Sequence, residues 1–157
     1  MFKYCAKISL IYLITLFLGS YNLLLSQEDM PVFNVHGKFS IEKGKVEDDS
    51  KITLKKDGQV EKVLKAESKF SFDLEYGHKY LLVFSKKGFV SKSVEVLTDA
   101  PTDRAEMGFQ PFQFEVNLFE QVDGVNIVIF NQPVAKLDYS EDLDDMDYDT
   151  DYTKSVQ

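Results

Sequence analysis

The chain has 157 residues, about one domain's worth, and 26 acidic against 18 basic side chains give it a net charge of −8. That charge argues against a nucleic-acid surface, which has to be basic, and a single Cys excludes an internal disulfide framework or a Cys-rich zinc site. An apolar content of 44%, with 13% aromatic residues, is too high for a wholly disordered protein.

The first segment reads as an address. Met1–Lys7 is a short basic start with Lys3 and Lys7, and Ile8–Leu18 is an uncharged apolar run. Leu23-Leu24-Leu25-Ser26 closes that run before the polar Gln27-Glu28-Asp29. This order predicts a secretory signal peptide over 1–26, helical in its apolar part and cut near Ser26–Gln27. An uncleaved anchor is the rival reading, because Ile8–Leu25 reaches the lower length limit for a bilayer span. Gly19, Ser20 and Asn22 count against it. Cys5 precedes the apolar run, so it is misplaced for a lipoprotein acceptor. Removing the signal leaves a chain without Cys, which its core alone must stabilise.

Short strands follow, punctuated by Lys43-Gly44, Asp57-Gly58, Tyr76-Gly77, Lys87-Gly88 and Asp123-Gly124. Phe33–Ile41 is a first strand, and Lys51–Lys56 places Ile52 and Leu54 on one face. Asp57-Gly58 is the best hairpin signal, since a type I′ turn needs positive φ at both central residues. Val60–Lys65 returns. Lys69–Leu74 alternates, with Phe70, Phe72 and Leu74 inward. Tyr80–Phe84 is apolar on both faces and reads as a central strand. Phe89–Leu97, Phe112–Leu118 and Val125–Phe130 are further strands, with Val134–Leu137 as a last edge. Thr98–Gln110 is polar and contains Pro101, which predicts a crossover loop with room for one helical turn. Asp138–Gln157 is rich in acids and lacks periodicity, which predicts a disordered tail. The expected architecture is an all-β, antiparallel β-sandwich of about 7–9 short strands.

The segment Phe33–Leu97 resembles the carboxypeptidase regulatory-like domain, a transthyretin-like β-sandwich within the broader Ig-like architecture. The resemblance is carried by Val35-x-Gly37, Ile52-x-Leu54, Asp57-Gly58, Lys69-Phe70-Ser71-Phe72-Asp73-Leu74, Gly77, Tyr80–Phe84 and Lys87-Gly88-Phe89-Val90. Glu47-Asp48-Asp49-Ser50 stands where the family usually has a further Gly. Gly108-Phe109, Pro111-Phe112, Phe114-Glu115-Val116 and Pro133-x-Ala135-Lys136 resemble an extension seen in exported envelope proteins of the Bacteroidetes type. The organisation is then a signal peptide (1–26), a regulatory-like sandwich (33–97), a strand extension completing it (98–137) and an acidic tail (138–157). The resemblance implies a noncatalytic folding, spacer or docking module beside envelope or secretion machinery. The expected location is the periplasm or the outer membrane, or outside the cell. The membrane is met only through the signal peptide or anchor.

No catalytic constellation is visible. His36 and His78 are the only histidines and show no metal-ligand spacing. There is no Gly-x-Ser-x-Gly elbow, and no cofactor is implied. Asp147-x-Asp149-x-Asp151 matches the start of a calcium loop, but Tyr152 stands where such a loop needs Gly. Leu143, Met146, Tyr148 and Tyr152 interleave with the tail acids and are candidate contacts to a protein partner. Lys51, Lys55, Lys56, Lys62, Lys65 and Lys69 cluster around the Asp57-Gly58 hairpin, either as a solvated edge or as an intramolecular or intermolecular contact for an acidic tail. The leading expectation is protein–protein contact with an envelope partner. A carbohydrate- or small-ligand-binding sandwich using Phe119, Tyr139 and the tail tyrosines is the alternative, and an enzyme ranks third.

Overall fold

Alternation of apolar and polar residues at period two governs most of the chain. In the computed structural model, which describes residues 31–46, 49–124 and 127–155, that alternation becomes strands with one buried face. The signal peptide expected over 1–26 lies outside the described residues. Among the described residues no helix is long and apolar enough to cross a membrane.

β1 (Val32–Ile41) buries Phe33, Val35 and Phe39. β2 (Lys51–Lys56) buries Ile52 and Leu54. It turns at Asp57-Gly58, with φ of 49° and 81°, into β3 (Gln59–Lys65). β4 (Lys69–Glu75) buries Phe70, Phe72 and Leu74, and β5 (Lys79–Ser85) buries Tyr80, Leu82 and Phe84. β6 (Lys92–Leu97) leads through a short helix, α1 (Thr102–Met107), to β7 (Phe112–Leu118). β8 (Ala135–Ser140), β9 (Asp145–Tyr148) and a terminal helix, α2 (Thr150–Ser155), complete the chain.

The strands form two sheets, ordered β4-β1-β7 and β3-β2-β5-β6-β8-β9. β5 is central, as its doubly apolar sequence predicts. One core joins the sheets: Phe84 of the larger sheet meets Phe39, Phe70 and Phe114 of the smaller at 5.3, 5.2 and 6.5 Å between ring centres. The protein is mostly β, with a sandwich-like pair of sheets.

Five expectations need correction. The sheets are mixed rather than antiparallel, because β1 pairs with β7, and β6 with β8, in parallel. The cause is the crossing of the chain from β6 to the smaller sheet and back to β8. Phe89 lies outside β6 and makes only an isolated bridge to Glu120. Val125–Phe130 is not a strand where it is described. Val128–Asn131 is a single 3₁₀ turn with Val128 65% exposed, on the stretch that returns the chain to the larger sheet. Finally, Val134–Leu137 is no edge, and the stretch expected to be a tail carries the end of β8, β9 and α2. Burial of Met146 and the ladder from Leu137↔Tyr148 to Ser140↔Asp145 account for this order despite the charge.

Candidate functional site

Three surface features concentrate chemistry. The first is a polar clasp at one end of the larger sheet. The Asp57 carboxylate accepts the Lys79 amide at 3.0 Å and contacts His78 Nδ1 at 2.7 Å. These neighbours, the Lys79 amide first and the His78 ring second, hold the Asp57 carboxyl below its ordinary range. Lys56 donates to Glu75, which lowers the Glu75 carboxyl and raises the Lys56 ammonium. Fully buried Thr98 donates its hydroxyl to the Glu75 carbonyl at 2.7 Å and receives the His78 amide at 3.1 Å. The clasp therefore ties the β2–β3 turn, the β4–β5 turn and the end of β6 together. His36 lies apart on β1, with Nδ1 3.2 Å from the Asn34 side-chain oxygen.

The second feature is the β8–β9 turn. Arg104 of α1 donates Nε to the Asp144 carboxylate at 2.7 Å and Nη2 to the Asp144 carbonyl at 2.8 Å. Tyr139 donates its hydroxyl to the same carboxylate at 2.7 Å. The Tyr139 hydroxyl first, and Arg104 after it, lower the Asp144 carboxyl, against some desolvation. The turn needs that grip, since Asp144 is a non-glycine residue at φ 50°. Leu143 stands beside it at 61% exposure, flanked by exposed Glu141 and Asp142.

The third is the side of the sandwich where β3 and β4 are both edge strands. Every residue of β3 except Leu64 is exposed, including Val60 and Val63 at 58% and 56%. A register shift beside Leu54/Lys55 interrupts its pairing with β2. Between the two edges lies a groove of about 250 Å³ with Ile52, Leu64, Phe70 and Phe72 at its floor. Lys65, Glu67 and Lys69 rim it. Among the described residues Lys51, Lys55, Lys62, Lys65 and Lys69 form no ion pair, whereas Lys56 is taken by Glu75.

The structure separates the residues expected to act together. Asp147 Oδ1 accepts the Tyr148 amide, Asp149 Oδ1 accepts the Tyr152 amide at the start of α2, and Asp151 extends into solvent toward Lys154. Among the described residues no group of three His, Cys, Asp or Glu side chains could hold a metal ion. Of the four candidate partner contacts, Met146 is in the core and Tyr148 packs edge-on against Phe112 at 5.0 Å. Tyr152 donates its hydroxyl to the Pro133 carbonyl and lies under Lys136. Only Leu143 is free to meet a partner. Tyr139 is likewise committed to Phe109 and Asp144, and Phe119 to Phe130 at 5.3 Å with the Lys92 ammonium over its ring. The groove escaped sequence reasoning because its walls come from two sheets, although the lysines on its rim were visible.

These features define a mostly-β, two-sheet protein whose exposed chemistry is an apolar, lysine-rimmed side. No family model matches the chain, and no curated protein matches it.

Proposed function

We propose that this chain is an exported, noncatalytic β-sandwich module of the carboxypeptidase regulatory-like, transthyretin-like kind. It acts by protein–protein contact in the bacterial cell envelope, as an adaptor, spacer or accessory of envelope or secretion machinery. The N-terminal pattern of basic start, apolar run and polar opening supports export. The motifs from Val35-x-Gly37 to Lys87-Gly88-Phe89 support the family reading.

The observation that carries the contact role is β3. It is an edge strand exposed on both faces, with two outward valines and uncompensated lysines beside an apolar groove. Edge strands are a common point of attachment for a partner strand, and evolution normally blunts them. The lysines and the register shift limit unselective pairing while leaving an apolar surface to a matched partner.

The test is crosslinking in living cells, followed by purification from separated envelope fractions. A stoichiometric envelope protein, lost in a Val60→Glu/Val63→Glu variant, is the expected result. Recovery of the protein alone in the soluble fraction overturns the proposal.

A further inference from the structure

We infer that copies of this chain associate head to tail, the acidic β8–β9 turn of one copy seating Leu143 in the lysine-rimmed β3–β4 groove of the next. This deepens the contact reading above and rests on it.

The two surfaces complement each other in charge, and each carries an apolar element. The turn offers an exposed Leu143 between the carboxylates of Glu141 and Asp142, with Asp145 following. The groove, about 250 Å³, has room for a leucine side chain over Ile52, Leu64, Phe70 and Phe72, with Ser71 beside them and Lys65 and Lys69 at its rim. Glu67 also stands there and opposes the same carboxylates, so the rim is basic by two to one. Lys62 adds to the positive side, since it pairs in register with Leu54 and so shares the core-facing side of the sheet.

The surfaces cannot meet within one molecule. β3 and β9 are the opposite edges of the six-stranded sheet, separated by five strand spacings of about 4.8 Å each, or about 24 Å. Only a second copy brings them together. The turn is also already shaped for docking: Arg104 and Tyr139 fix Asp144, so little ordering entropy remains to be lost on contact.

Such a contact joins two different patches, so each copy keeps a free groove at one end and a free turn at the other. Association of this kind propagates as an open chain unless its rotation closes a ring. The charges sit at an exposed rim, so the attraction depends on salt: the Debye length is about 30 Å at 0.01 M and about 3 Å at 1 M.

The experiment is sedimentation of the protein purified as the cell exports it, over a concentration series at those two salt levels. Average mass is expected to rise with concentration at low salt and to return to the monomer at high salt. Two surface variants, Leu143→Asp and Lys65→Glu/Lys69→Glu, are each expected to stay monomeric, with unchanged circular dichroism. Mixed in equal amounts they should form a dimer and nothing larger, because the first retains only a working groove and the second only a working turn. A parent protein that is monomeric throughout, or variants that associate like the parent, or a mixture without dimer, overturns the inference. A monomer that nevertheless yields the crosslinked envelope protein overturns only this inference and leaves the proposed function standing.

Discussion

Gly37 has room for a hydrogen and nothing larger. A Cβ built there would lie 1.8 Å from the Phe114 carbonyl oxygen and 3.0 Å from the Phe70 ring. The backbone of β7 passes over this position because Gly37 and Phe114 are register partners in the parallel β1–β7 pair. Gly37→Ala should therefore push the strands apart and cost about 3 kcal/mol, the upper range for overpacking. Urea denaturation checks this: the midpoint drops while the slope stays constant. The clasp residues give a second prediction at this scale. Asp57 and Glu75 are held below their ordinary values of 3.8 and 4.5. Their contribution to stability is thus present above those values and is lost as pH falls through the lowered ones. Lys56 has the opposite sign: its contribution is present below 10.5 and is lost as pH rises past its raised value. Thermal melts should show an acid limb that flattens in Asp57→Asn and an alkaline limb that flattens in Lys56→Met. Equal limbs in parent and variants would mean that the clasp does not couple to folding.

At the scale of elements, the acids of β8 and β9 oppose the pairing that buries Met146. Asp138 and Asp147 sit directly across the ladder, a like-charged cross-strand pair. Burial first, and the neighbouring Asp149 and Asp147 after it, raise the Asp138 carboxyl. A raised carboxyl costs stability once it ionises, so Asp138→Asn should stabilise the protein at neutral pH and cease to do so below 3.8. The gain is about 0.5 kcal/mol once exposure to solvent is allowed for, or about 2 °C in melting temperature. Met146 acts in the other direction: Met146→Ala should cost about 2 to 3 kcal/mol, because it removes buried volume beneath β9. A midpoint unmoved by that change would mean that the C-terminal segment is not packed in solution, as its composition alone suggests. This is also where sequence reading reached its limit. Strands with clean alternation, such as Phe70, Phe72 and Leu74, were legible because period two reports burial without knowledge of the neighbour. The same pattern exists weakly at Leu137, Tyr139, Met146 and Tyr148, but a run of acids masks it, and the partner strand β6 lies about forty residues upstream. The turn at Asp57-Gly58 was legible for a local reason, positive φ. The groove was not, because floor and rim come from β2, β3 and β4 in two different sheets.

At the scale of the whole molecule, a single Cys leaves no internal crosslink, so cohesion between the two sheets comes from packing. Phe84 is where that packing converges. It is fully buried in the central strand of the larger sheet, and it touches rings from all three strands of the smaller one: Phe39 on β1, Phe70 on β4 and Phe114 on β7. Neither sheet can cover its own inner face, since the smaller has three strands and the larger presents Ile52, Leu54, Leu82 and Val94 to the same core. Unfolding should accordingly be one cooperative transition, with tyrosine near-ultraviolet and backbone far-ultraviolet dichroism changing together. Phe84→Ala removes the ring from all three contacts and leaves a cavity between the sheets, a loss of about 3 to 5 kcal/mol. That is a large fraction of the stability of an ordinary domain, so the variant should melt about 12 to 20 °C lower or fail to fold at 37 °C. Phe84→Leu keeps most of the volume and tests the same point in a protein that still folds, with a loss of about 1 to 2 kcal/mol. In both variants the two signals should still coincide. If near-ultraviolet dichroism were lost first while the strands persisted, the larger sheet would be stable without its partner, and Phe84 would be a local packing residue rather than the junction of the core.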